Sequence, residues 1–292
     1  MVDQLQHMCE IVERHCDKGR QATTIDGLTL FRMGTSARPA HIVYRPRICI
    51  ILRGTKTVSL ANAPFDADTS IFLFVTVDVP VSSMVYEAED GRPHLALTLD
   101  LDRVMAAAVL QRLSAIPTPS PTHAAVTAAK MEPALLDAME RLLKLLDNPF
   151  DIAFMKSVIL QEIYYRLALS GLGPALAQYA TGSSHLSQIS KAASWIRQHY
   201  QEPINIADLA DRAGMSVTSF HRHFKAVTLM TPIQYRTEIR LQEARRLMLT
   251  SGTQAGPAGS AVGYDSQSQF SREYKRKYGV PPALDINRLT RT

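Results

Sequence analysis

Two stretches in the last third of the chain carry residue types that can read DNA at helical spacing. In Ile204 to Phe224 (INIADLADRAGMSVTSFHRHF), Val217, Thr218, His221 and Arg222 fall on one side of a predicted helix, while Phe220 and Phe224 fall on the other. Arginine presents two parallel donors that match O6 and N7 of guanine, and threonine and histidine reach other base edges or phosphates. The preceding segment, Asp208 to Ala213, turns Ile206, Leu209, Ala210 and Ala213 inward. Gly214 then permits a left-handed turn, and Ser216 is placed to cap the next helix. Small Ala210, four residues before the glycine, lets the two helices cross closely. This is the spacing of a helix-turn-helix, although many helical hairpins with a glycine turn never touch DNA.

The layout recurs. In Val262 to Tyr274 (VGYDSQSQFSREY), Gly263 answers Gly214, Ser266 answers Ser216, Phe270 answers Phe220, Arg272 answers Arg222 and Tyr274 answers Phe224, with one extra residue in the turn. Packing alone gives no reason for two arginines at equivalent positions. Between the units, Pro232 to Leu249 (PIQYRTEIRLQEARRLML) is a predicted helix of roughly 27 Å, started by a proline. Such a rod sets two recognition helices about one DNA turn apart, near 34 Å. Arg236, Arg240, Arg245 and Arg246 add charge to it, each singly more in keeping with a solvated helix face than with a phosphate contact.

Other chemistries find little support. A catalytic divalent metal needs three or four fixed ligands, and His41, His94 and His123 are isolated. No Gly-x-Ser-x-Gly elbow is present for Ser-His-Asp chemistry. Cys9 and Cys16 share a helical face, but the rise between them, about 10 Å, exceeds disulfide reach, so they are expected to be packing thiols. Three cysteines make no disulfide framework, which fits a reducing cytoplasm. No apolar run spans a bilayer, and Met1 to Arg20 is too polar for a signal peptide. A soluble, cytoplasmic protein with neither membrane nor cofactor is expected.

These motifs sit in a chain of 292 residues, 46% hydrophobic and 20% charged, which is long enough for two cores and excludes a disordered chain. Its net charge of +5 names no partner, but the distribution does: −2 up to Ser183 and +7 from Ser184 on. Thr24 to Leu101 reads as short β-branched strands: Ile48 to Arg53, Thr55 to Leu60, Ile71 to Val77, Ser83 to Tyr86 and Leu95 to Leu99. Between them fall turns such as Asn62-Ala63-Pro64, which suits an antiparallel sandwich or barrel. Asp102 to Leu113, Met131 to Leu146 and Ile152 to Leu169 have the period of amphipathic helices, as does Leu5 to His15. Ile116 to Thr122 (IPTPSPT) reads as a stiff connector, and Gly171 to Ser184 (GLGPALAQYATGSS) as the interdomain linker. The expected fold class is α+β. A β-sandwich or barrel with appended helices spans 1–172 (helical over 102–170), a linker 173–184, and an all-α domain with two helix-turn-helix units 185–292.

Residues Ile206 to Pro282 resemble the DNA-binding domain of the AraC/XylS family of bacterial transcription regulators, most specifically in Ala261 to Pro281 (AVGYDSQSQFSREYKRKYGVP). The first domain resembles the cupin-like N-terminal domain of one branch of that family through Val43 to Lys56 (VYRPRICIILRGTK), Val77 to Val81 (VDVPV) and Leu95 to Asp102. The resemblance implies a sequence-specific, non-enzymatic transcription regulator, with activation among its roles. Its base-facing candidates are Thr218, His221, Arg222, Gln267, Ser268 and Arg272, with Val217 and Ser271 weaker. It also implies a small-molecule effector in the first domain. Tyr44, Arg47, Cys49 and His94 are the polar candidates there, and Ile50, Leu52, Val58, Leu60, Leu73, Val75, Leu97 and Leu99 the apolar ones. The implied partners are double-stranded DNA and a second copy joined through the helices 131–146 and 152–169, with RNA polymerase a further candidate. A cupin-type metalloenzyme whose helical domain serves assembly is the alternative.

One stretch departs from the family pattern. The helix before the second turn reads TQAGPAGS (Thr253 to Ser260), where each glycine costs about 1 kcal/mol relative to alanine and an interior proline about 3. Pro257 escapes most of that penalty if it starts a shortened helix. The second unit is therefore expected to be looser, or ordered partly by DNA.

Overall fold

The computed structural model describes residues 2–61, 63–113, 124–182 and 184–290. The expected proline connector Ile116 to Thr122, His123 and Asn62 of the first turn lie outside them. The chain divides into two compact units, Met1–Ser190 with Ala226–Leu229, and Lys191–Lys225 with Met230–Thr292.

The first unit opens with α1 (Val2–His15) and continues through β1 (Gly19–Ala22), β2 (Leu28–Met33), β3 (Ala40–Tyr44), β4 (Arg47–Arg53), β5 (Thr55–Leu60), β6 (Ala63–Ala67), β7 (Ile71–Val75), β8 (Val79–Tyr86) and β9 (His94–Asp100). Then come α2 (Arg103–Gln111), β10 (Val126–Lys130), α3 (Pro133–Lys144), α4 (Pro149–Leu169) and α5 (Gly173–Ala180). The strands form two antiparallel sheets, in the orders β1-β2-β9-β4-β7-β10 and β3-β8-β5-β6. The short, β-branched strands favour this pleated arrangement, and tight turns such as that at Gly54, with φ +78, join them.

Central strand β4 is buried on both faces, because α1 packs on β2 and β4 from one side and the second sheet covers the other. Met8, Cys9, Ile11 and Val12 form the inner stripe of α1. The Cys9 thiol donates to the Leu52 carbonyl, and all three cysteines are free and buried. That agrees with the packing role expected for Cys9 and Cys16. In α3, Leu135, Leu136, Met139, Leu142 and Leu143 are buried at helical spacing. Helix α4 buries Ile159, Ile163 and Leu167 while leaving Phe150, Phe154, Val158 and Leu169 exposed.

Two expectations are corrected. The segment taken for a linker holds α5, with Ala175, Leu176, Ala177 and Tyr179 buried and the Tyr179 hydroxyl donating to the Leu101 carbonyl. Pro174, which suggested a break, lies in the first turn, where its missing N–H costs nothing. Strand β10 was not anticipated. It pairs Val126 to Lys130 with β7 as an edge strand whose alanines give little strand signal.

The remaining helices are α6 (His185–Gln198), α7 (Ile206–Arg212), α8 (Val217–Thr228), α9 (Pro232–Ser251), α10 (Ala255–Ala261), α11 (Gln267–Tyr278) and α12 (Pro282–Thr290). Helix α9 opens on a capping box formed by Thr231 and Gln234 and closes on Gly252 in the left-handed conformation.

Candidate nucleic-acid interface and interior cavity

Helix pairs α7–α8 and α10–α11 are built alike. In the first, the N–H of Met215 donates to the Ala210 carbonyl at 3.0 Å across Gly214, whose φ is +63. In the second, the N–H of Tyr264 donates to the Gly259 carbonyl at 3.0 Å across Gly263, whose φ is +90. Ser216 accepts from the Ser219 N–H and Ser266 from the Gln269 N–H, each at 3.3 Å, so each recognition helix starts on a serine cap. The ring centroids of Phe220 and Phe224 lie 5.5 Å apart with the rings tilted, those of Phe270 and Tyr274 lie 5.5 Å apart edge-to-face, and all four side chains are fully buried.

That inward aromatic pair turns the opposite face of each helix to solvent. Val217, Thr218 and Arg222 are exposed on α8, with His221 half-buried against Phe220. Gln267, Ser268 and Arg272 are exposed on α11, with Ser271 half-buried. The Ser268 hydroxyl lies 2.9 Å from that of Ser266, and the Gln267 amide folds over α10. Sequence reasoning overlooked Lys275 and Arg276, exposed cations in the last turn of α11. Their place in the run KRK was the available signal.

The stretch with Gly256, Pro257 and Gly259, from which a looser second unit is expected, forms a helix. Helix α10 keeps seven residues with Pro257 in its first turn. Gly259 is buried, and a Cβ there would stand 2.9 Å from Phe270 Cγ. The glycine brings the two helices to the distance at which the phenylalanine fills the crossing, the role Ala210 was expected to play in the first unit.

The arginines of α9 also differ from a row of free charges. Arg240 is buried and donates to the carbonyls of Tyr200 at 2.6 Å and Gln201 at 2.9 Å, with its guanidinium 5.5 Å from the Tyr264 ring centroid. Burial, and then the charge of Arg236, lower its pKa. Arg236 donates to the Glu202 carbonyl, and Arg246 pairs with Glu243. Arg245 makes a two-pronged ion pair with Asp285, which also accepts from the Tyr274 hydroxyl. Lys277 pairs with Glu238. Much of the charge counted toward the +7 thus joins α9 to α11, α12 and the Tyr200–Glu202 loop.

In the first unit, a cavity of ≈ 100 Å³, partly open to solvent, lies between the two sheets. Of the polar candidates, Cys49 and His94 border it, whereas Tyr44 and Arg47 do not. Position along the strand, not strand phase, explains the difference. Cys49 pairs with Thr98 and Ile51 with Ala96, so these side chains share one face, with Arg47 and Asp100 one step further on. Ala40, Ile42 and Tyr44 likewise share a face of β3, and the first two reach the cavity. Of the eight apolar candidates only Ile50, Leu73 and Leu97 border it. Leu52, Val58, Leu60, Val75 and Leu99 are core instead.

Lys56 and Thr98 are cavity residues that sequence reasoning missed. Lys56 lies in phase with Val58 and Leu60 on β5, and a lysine in the buried phase of a strand was the signal. Its ammonium stands 5.3 Å from the Tyr44 ring centroid. Burial opposes that charge, but interactions with Tyr44 and Cys49 outweigh it and hold the lysine pKa above its usual value. Burial, and then the Lys56 charge, push His94 down to about 4, so its imidazole is neutral. Burial likewise raises the Cys49 thiol.

Residues 24–175 match the family described as AraC-type transcriptional regulator N-terminus, and residues 209–284 match the helix-turn-helix domain family. The chain belongs to the AraC-type transcriptional regulators. Among curated relatives of this AraC-type chain, the transcriptional activator RhaS of Pectobacterium atrosepticum is 28% identical over 136 residues, 47% of each protein. RhaS of Pectobacterium carotovorum is 29% identical over 105 residues, 36% of this chain and 38% of that one. The AraC-type chain thus spans less than half the length of these relatives. ToxT of Vibrio cholerae in its apo form has the same fold, with a TM-score of 0.55 at 10% identity over 91% of this chain and 98% of that one. ToxT bound to unsaturated fatty acid gives 0.52 at 10% identity over 89% and 94%.

Proposed function

We propose that this AraC-type chain is a sequence-specific DNA-binding transcription regulator of activator type, whose first unit responds to a small molecule. The observation that carries the reading is the repeated helix-turn-helix in which Arg222 and Arg272 occupy equivalent exposed positions opposite buried aromatic pairs. Arg222 and Arg272 are assigned to guanine edges, and Thr218, His221, Gln267 and Ser268 to neighbouring bases or the backbone. Lys275 and Arg276 are assigned to phosphates. The exposed Phe150, Phe154, Val158 and Leu169 of α4 are assigned to contact with a second copy. The protein works in the cytoplasm, without catalysing a reaction and with RNA polymerase as its downstream partner.

Gel-shift titration of the full chain against genomic fragments, including the region upstream of its own gene, tests this. One fragment is expected to bind far better than bulk competitor at moderate salt, and binding no better than competitor on every fragment overturns the reading.

A further inference from the structure

The interior of the first unit holds unpaired polar atoms. Arg47 Nε and Thr98 Oγ1 are buried and have no hydrogen-bond partner among the described residues. Buried polar side chains are normally paired, so each such atom calls for a physical reason. Here they gather along adjoining strand faces, around or next to one cavity. Lys56 adds a full positive charge to the cavity wall, and among the described residues no carboxylate pairs with it. Arg47 does have an acid, Asp100 at 3.2 Å, so its charge is matched. The cavity thus has one unmatched cation, a hydroxyl and a thiol able to donate, and a neutral imidazole.

A water molecule could bond to Thr98 or His94, but it could not balance the ammonium. A dianion such as phosphate would bring more charge than one lysine offsets, and it would set that charge against Ile42, Leu73, Val85 and Leu97. A singly charged acceptor with an apolar remainder fits both halves of the wall. Size narrows the class further. A cavity of about 150 Å³ holds benzene, so ≈ 100 Å³ admits on the order of four to six non-hydrogen atoms.

We infer that this cavity binds a short-chain monocarboxylate, its head held by Lys56 and Thr98 and its tail against Ile42, Leu73 and Val85. The inference rests on the reading of the first unit as the effector-binding module and gives that effector a chemical class. Lys56 supplies the charge, Thr98 a directed hydrogen bond, and the small volume favours short chains.

The test uses the full chain with acetate, propionate, butyrate and isobutyrate as probes, followed by calorimetry and thermal shift. At least one of the four is expected to bind, and butyramide, which keeps the shape of butyrate without its charge, is expected to bind at least about tenfold more weakly. Lys56→Met is expected to lose at least about tenfold in carboxylate affinity. Thr98→Val, nearly the same shape, loses a smaller factor and serves as the second variant should Lys56→Met fail to fold. No binding of any of the four at millimolar concentration, equal binding of butyramide, undiminished binding by both variants, or binding of oleate in place of the short acids would each overturn the assignment. Selective DNA binding without carboxylate binding removes only this inference, and carboxylate binding without selective DNA binding removes only the regulator reading.

Discussion

Arg240 closes over the backbone of Gly263: a Cβ added at Gly263 would stand 2.6 Å from Arg240 Nη2 and 2.3 Å from the Gln201 carbonyl oxygen. The turn of the second helix-turn-helix, the connecting helix α9 and the Tyr200–Glu202 loop therefore meet at one point, with a glycine as the only residue that fits.

Gly263→Ala should destabilise the second unit by about 3 kcal/mol or more, since it combines left-handed strain with contacts against backbone and a buried guanidinium. Gly252→Ala, at φ +62 with nothing within 4 Å of the new Cβ, should cost only about 1 kcal/mol. Urea unfolding followed by the fluorescence of Trp195, the single tryptophan, reports on this unit directly. Equal losses for the two variants would disprove this close packing at Gly263.

The two glycines of α10 should respond in opposite senses. Gly256→Ala places a Cβ 3.3 Å from the flexible Gln267 amide, which can move aside, so helix propensity should stabilise the unit by about 0.5–1 kcal/mol. Gly259→Ala forces a Cβ against the fully buried Phe270 and should destabilise it by about 1–3 kcal/mol despite the same gain in propensity. The same fluorescence titration distinguishes them by sign.

On DNA, Arg222→Ala should remove about 1–3 kcal/mol of discrimination at one base position, and Arg272→Ala the same at another. Lys275→Ala should instead weaken binding evenly across sequences and reduce the salt slope by about one unit. Competition gel shifts on single-base operator variants at several salt concentrations check both. A uniform loss for Arg222→Ala would make it a phosphate contact.

Stability of the first unit should fall as the pH drops below about 6.5. His94 is neutral when folded, with its pKa pushed from 6.5 to about 4, so the unfolded chain takes up the proton first. The stabilisation from His94 is complete above about 6.5 and is lost progressively down to about 4, by about 3 kcal/mol in all. Thermal melts between these limits should show the slope in the wild type and a shallower one in His94→Gln.

Much of the candidate DNA interface was legible because a helix-turn-helix is local. Spacing alone relates Gly214 to Phe220 and Arg222, and the same spacing returns at Gly263, Phe270 and Arg272. The β-rich first unit was legible for a similar reason, since the short apolar runs of β4, β5 and β9 span a few residues each. Where composition stood in for geometry the reading failed, as when Gly173-Pro174 suggested a linker and proved to be the start of α5.

By itself the sequence determined the succession of a β-rich part and a helical part, the doubled recognition helix and the excess of positive charge in the last third. Tertiary structure alone decided which arginines remain free. Arg240 and Arg245 became joints because carbonyls and a carboxylate some forty residues away in the chain close on them, while Arg222 and Arg272 stay exposed because the aromatic pairs behind them fill the core. It also decided that Lys56 and Thr98, on different strands, share one cavity, since pairing register and sheet packing are non-local and no short-range period records them.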